Sequence, residues 1–126
     1  SIAFSNKKYD MLLWSDGGML SYLNSENADS AISTDKVVGN FFGALDDNTI
    51  YYFDSANQSE SGLYVMNYNG TDWTMPYLYS STDGNVVYAG SDGYNVFYST
   101  CDDETYSGQR KLYSVKITTV RKRCRQ

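Results

Sequence analysis

Short apolar runs recur along this chain, each bounded by Asp, Asn, Gly and Ser, and helical periodicity is nearly absent. The run from Leu63 to Tyr68 shows the pattern best. Leu63, Val65 and Asn67 alternate with Tyr64, Met66 and Tyr68, so each set points to one face of a strand. Both sets are largely apolar, which predicts a sheet packed between neighbouring sheets. Similar runs predict strands over 10–14 and 19–23, joined by the tight turn Ser15-Asp16-Gly17-Gly18. Residues 36–38 and 41–45 are expected to pair with each other across Gly39-Asn40. Strands over 49–53 and 63–68 follow, separated by a polar loop over 55–61. Asn69-Gly70 is a turn, and 73–79 a third strand that Pro76 confines to an edge or a bulge. Residues 86–89 then form the fourth strand of that unit, and 94–100 and 111–120 the last two strands.

Three of these runs share a motif. Leu13-Trp14-Ser15-Asp16, Tyr51-Tyr52-Phe53-Asp54 and Phe97-Tyr98-Ser99-Thr100 each close an apolar stretch, at offsets of 38 and then 46 residues. A period near ~40 residues with several strands per period marks stacked β-repeats. The expectation is an all-β chain of about three antiparallel, four-stranded, propeller-like blades. No linker divides it, so 1–126 reads as a single domain. Three blades leave sheet faces and edges uncovered, which predicts a partial propeller completed by self-association or by additional blades.

The middle unit carries a resemblance. Ile50-Tyr51-Tyr52-Phe53-Asp54, a loop, and then Leu63-Tyr64-Val65-Met66-Asn67-Tyr68-Asn69-Gly70-Thr71 resemble the YWTD repeat of lipoprotein-receptor-type propellers. The likeness is closer still to bacterial propeller domains of unknown function. Leu12-Leu13-Trp14-Ser15-Asp16 matches the first half of the repeat, while the third unit keeps only its aromatic strand. The family closes six blades into a disc, so the resemblance implies that this chain supplies about half of one. It also implies that Asp16 and Asp54 are structural, their carboxylates bonding backbone donors within and between blades.

Composition narrows the chemistry. The chain contains no His, which removes Ser-His-Asp and Cys-His catalysis and imidazole acid–base work. Two Cys without His do not make a standard zinc site, and the spacing of Cys101 and Cys124 permits a disulfide without requiring one. Adjacent carboxylates such as Asp46 and Asp47, or Asp102 and Asp103, are placed in turns, where side chains diverge; solvated turn residues are the expectation. No enzymatic activity, no cofactor and no metal is expected. Residues 1–109 hold three basic and fifteen acidic residues, a net of −12, whereas the remainder carries +7. Such a tail suits an anionic partner, but an acidic body repels polyanions, so no nucleic acid is expected. No apolar run is long enough for membrane insertion.

Aromatic residues carry what remains. There are 13 Tyr and 2 Trp, residues that favour strands and half-wet interfaces. Trp73, Tyr77 and Tyr79 alternate along one predicted strand, beside the turn that holds Asn69 and Asp72. Flat rings beside Asn and Asp suit sugar or protein recognition, and core packing between blades is the competing role. The expected function is non-catalytic recognition of a protein or glycan, secreted or at the surface of a bacterial cell, with Trp73, Tyr77, Tyr79, Asn69 and Asp72 as candidate ligand residues. A lectin-like carbohydrate-binding role and a structural fragment of a larger propeller are the alternatives.

Overall fold

The structure, a computed structural model, describes residues 3–39, 42–54, 60–83, 85–101 and 108–118. These form eleven strands and no helix. Sheet one orders β1 (Phe4–Asn6), β2 (Met11–Asp16), β3 (Met19–Leu23) and β4 (Ile32–Val37) side by side. Sheet two does the same with β5 (Phe42–Asp46), β6 (Thr49–Asp54), β7 (Gly62–Asn67) and β8 (Tyr77–Ser81). Sheet three has three strands, β9 (Asn85–Asp92), β10 (Asn95–Cys101) and β11 (Arg110–Lys116), with β10 in the centre. Every neighbouring pair is antiparallel. The protein is therefore all-β, built from antiparallel sheets of four, four and three strands.

Local sequence explains the hairpins. Asp16 pairs with Met19 across Gly17 and Gly18, whose φ values of 62° and 90° suit the primed two-residue turn that matches strand twist. Between β9 and β10, Asp92 pairs with Asn95, and Gly93 takes a φ of 62°. Gly43 serves packing instead. It lies opposite Tyr51, and a Cβ there would come within 2.6–2.7 Å of the Tyr51 ring. Only the bare backbone lets that ring lie across the strand.

Sheet two is apolar on both faces, as the alternation over 63–68 predicts. Ile50, Tyr52, Tyr64 and Met66 pack with Met11, Leu13, Leu20, Val38 and Trp73 in a cluster between sheets one and two. Tyr51, Phe53, Leu63 and Val65 pack with Val96, Tyr98 and Ile117 between sheets two and three. No core cluster among the described residues joins sheet three to sheet one, so the stack is open. Two directly opposed tyrosine pairs stack in the same manner. Tyr52 and Tyr64 lie 5.5 Å apart at 16°, and Tyr98 and Tyr113 lie 5.2 Å apart at 19°.

Several strand assignments differ from expectation; β1 was not foreseen, and β4 begins at Ile32, ahead of the expected 36–38. Residues 36–38 and 42–46 do not pair with each other: β4 closes sheet one and β5 opens sheet two. Gly39, at a φ of 66°, turns the chain away between them. Its N–H and that of Val38 both donate to the Gly18 carbonyl, which fastens the exit to sheet one. Residues 86–89 belong to β9, which pairs with β10 in sheet three and is not the fourth strand of sheet two. Residues 73–79 are not one strand either. Trp73 makes an isolated bridge to Tyr68, and β8 begins only at Tyr77, past Pro76, which has no N–H to donate. As expected from that proline, β8 is the edge of its sheet.

Candidate functional site

The turns β1–β2, β5–β6, β7–β8 and β9–β10 all lie at one end of the sheets, because each strand reverses the direction of its neighbour. Hydrogen bonds there run through all three sheets. The Tyr94 hydroxyl, beside β10, donates to an Asp46 carboxylate oxygen at 2.8 Å. The other Asp46 oxygen accepts from the Asn48 backbone N–H at 2.8 Å. The Asn48 side-chain amide in turn donates to the Tyr9 hydroxyl at 2.8 Å and to the Tyr68 carbonyl at 3.0 Å. Asn6, which is buried, completes the link. Its amide nitrogen donates to the Asp47 carbonyl at 2.7 Å, and its Oδ1 accepts from the Tyr9 N–H at 3.1 Å. A buried amide satisfied on both sides holds two sheets in one register.

Aromatic rings stand beside this network. Tyr9 and Tyr68 meet edge-to-face at 4.8 Å, and Tyr68 tilts against Trp73 at 5.1 Å. The Lys8 ammonium lies 5.2 Å from the centre of the Tyr9 ring. Desolvation raises the Tyr68 phenol above its ordinary range, with Tyr22, Asp72 and Tyr9 adding to the effect. The Tyr94 phenol is raised chiefly by its hydrogen bond to Asp46. Both groups therefore stay protonated, as hydroxyl donors, at neutral pH.

A cleft of about 180 Å³ opens between β1 and β5 at this end, with Asn6, Asp46, Asp47 and Trp73 among its walls. Trp73 is 4% exposed, and its indole N–H has no hydrogen-bond partner among the described residues. A buried donor without a partner is uncommon.

The five residues proposed from sequence do not form one site. Trp73 was expected either as a ligand residue beside a turn on an edge strand or as core packing between blades. It is a core residue, because its bridge to Tyr68 folds the ring back between sheets one and two. Tyr77 and Tyr79 pack on the opposite side of sheet two, against the cluster shared with sheet three. The break at Pro76 is what separates their face from that of Trp73. Tyr79 also donates its hydroxyl to the Lys116 carbonyl at 3.1 Å and accepts from the Thr118 N–H at 3.1 Å, tying two sheets together. Asn69 spends its Oδ1 within its own turn, accepting from the N–H groups of Thr71 at 2.9 Å and Asp72 at 2.8 Å. Asp72 is exposed on that turn, near Tyr68.

Asn69, Asp72 and Trp73 thus border the loop-end network, while Tyr77 and Tyr79 do not. Tyr9, Asn48, Tyr68 and Lys8 were missed. Their only sequence signal was position, since each sits in or beside a hairpin turn at the same end. Asp16 is exposed and its carboxylate has no hydrogen-bond partner among the described residues, so the structural role inferred for it from the resemblance is not found. Cys101 is buried at the end of β10, whereas Cys124 and the basic residues beyond 118 lie outside the described residues, as do Asp102 and Asp103. Among the described residues no group of three His, Cys, Asp or Glu side chains is placed to hold a metal ion, and no helix is long and apolar enough to cross a membrane. Comparison with protein-family models, curated proteins and solved structures finds no match for this chain.

Proposed function

We propose that the chain is a non-catalytic recognition module of propeller-like build, secreted or displayed at a cell surface, that binds a protein or glycan through the loop end of its sheets. The observation that carries this reading is the hydrogen-bonded frame Tyr94–Asp46–Asn48–Tyr9 beside the cleft that Trp73 lines. Frame and cleft belong to short hairpin ends, which present groups more precisely than long loops do. Beside the frame, Tyr9 and Lys8 offer a ring and a cation, and Asp72, near Tyr68, a carboxylate, the mixture that polar ligands use.

A glycan array, read beside a surface-protein binding screen, separates the two ligand classes. Binding that is lost in both Tyr9→Ala and Asn48→Ala, while the melting temperature moves little, supports the loop-end site. Binding unchanged in both variants places recognition elsewhere. Absence of binding to either class favours the alternative, a structural portion of a larger assembly.

A further inference from the structure

The two ends of the sheet stack differ in a systematic way. The recurring motif matches Leu13 with Tyr51 and Phe97, and Trp14 with Tyr52 and Tyr98. Leu13 packs between sheets one and two and Tyr51 between sheets two and three, so at this position the side chain faces the sheet that follows. Leu13 and Tyr51 are 1% and 3% exposed, whereas Phe97, on a face that no other sheet of the described residues covers, is 44% exposed. Tyr52 and Tyr98 face the preceding sheet and are buried. Trp14 holds the matched position on a face that no other sheet of the described residues covers, and is only half-buried.

Each outer face is apolar at its centre and charged at its rim. On sheet three, Tyr88 and Leu112 flank Ser99 from either side, and Phe97 stands two residues along β10 on the same face. Tyr88 and Leu112 are 66% and 77% exposed. Gly90 and Ser114 flank Phe97, so the surface between the large side chains is flat. Arg110 and Lys116 share that face, by alternation with Leu112 along β11, and both are exposed. On sheet one, alternation along β2 puts Leu12, Trp14 and Asp16 on the outer face. Leu12 lies opposite Leu23, where an open depression of about 400 Å³ runs beside Asp10 and Asn24.

We propose that the outer face of sheet three docks on the outer face of sheet one of a second copy of this chain. The second copy supplies two things that fit. Its Trp14 and Leu12 take the place that Tyr52 and Ile50 occupy against sheet one within a single copy. Its rim carries the opposite charge. Asp16 closes β2 at that rim, and Arg110 and Lys116 stand six residues apart along β11, a span of about 20 Å. Arg110 pairs with Cys101, next to Thr100, the residue matched to Asp16, so stacking in the same sense brings Arg110 to Asp16. Such a contact is head-to-tail, joining two different faces. The rim charges set its direction more than its strength.

Complementation tests this directly. Analytical ultracentrifugation of the whole chain at micromolar concentration should show an assembly larger than one copy. Leu12→Asp and Leu112→Asp alter exposed side chains, and circular dichroism should confirm that each variant stays folded. Each alone should weaken self-association about tenfold or more. An equimolar mixture should form a one-to-one heterodimer, because each variant retains the face the other lacks. Asp16→Arg and Arg110→Asp should each weaken assembly, and the two combined in one chain should restore it towards the unaltered level. A chain that stays monomeric across the concentration range overturns the proposal. So does loss of assembly in Leu112→Asp with full assembly in Leu12→Asp, since sheet three would then be pairing with itself.

Discussion

The Tyr94 hydroxyl donates to the Asp46 carboxylate at 2.8 Å across the boundary between sheets two and three. The two residues are 48 positions apart, and each sits at the turn end of its own sheet. The bond connects what are otherwise separate hairpins, and through Asn48 it reaches Tyr9 in sheet one. Tyr94→Phe keeps the ring and removes the donor. Both partners are exposed, so the expected cost is modest, about 0.5–1 kcal/mol by urea denaturation. A much larger loss would mean that the frame, more than the apolar clusters, orders the sheets.

Alkaline pH should destabilise the fold. Burial raises the phenols of Tyr51, Tyr77 and Tyr98 above 10.0, and the bond to Asp46 raises that of Tyr94. A raised folded-state value means that the native state holds its proton more tightly than the unfolded chain. The associated stability is complete below pH 10 and is lost as pH climbs through the folded-state values. Denaturant midpoints should therefore be level from neutral pH towards 10 and fall above it. Tyrosinate absorbance in the native protein should appear later than in the unfolded chain.

Trp73 separates packing from hydrogen bonding. Trp73→Ala removes a large buried ring between sheets one and two and should cost about 3–5 kcal/mol. Trp73→Phe keeps an aromatic core and deletes an N–H that has no partner among the described residues. Its cost should be clearly smaller, because no protein hydrogen bond is lost. Melting temperatures of the two variants give the comparison. Equal losses would show that the indole N–H is satisfied in solution.

Gly43 is predicted to be intolerant for a reason unrelated to turns. Gly43→Ala drives a methyl group into the Tyr51 ring, which is itself buried against sheet three. Overpacking of this kind typically costs about 1–3 kcal/mol. Combining it with Tyr51→Leu should recover part of the loss. A Gly43→Ala protein as stable as the original would indicate that Tyr51 has room to move.

At the turn, Asn69→Ala removes the oxygen that accepts from Thr71 and Asp72. Both N–H groups are exposed and water can replace the partner, so the expected loss is about 0.5–1 kcal/mol. Asn69→Asp, which keeps an acceptor, should recover most of it in thermal melts.

Strand type and the two-faced character of the middle sheet were legible in the chain. Alternation along Leu63 to Tyr68 assigns side chains to opposite faces because a strand has a period of two, and no tertiary information is needed for that. The Gly17-Gly18 turn was legible for a similar reason: few residues accept two successive positive φ values. Sheet membership was not legible. Residues 36–38 and 41–45 look like a hairpin, and 86–89 look like a fourth strand, because sequence neighbours usually pair. Which partner wins depends on where each apolar face is buried, and Gly39 turns the chain away from sheet one. The candidate site divided along the same line. A Trp followed by two alternating Tyr suggests one aromatic surface, but a proline between them breaks the strand, and burial then draws Trp73 to one side of sheet two and Tyr77 and Tyr79 to the other. Local periodicity decided which residues form strands. The competition among apolar faces for cover, a property of the whole stack, decided which strands meet and which rings stay in reach of a partner.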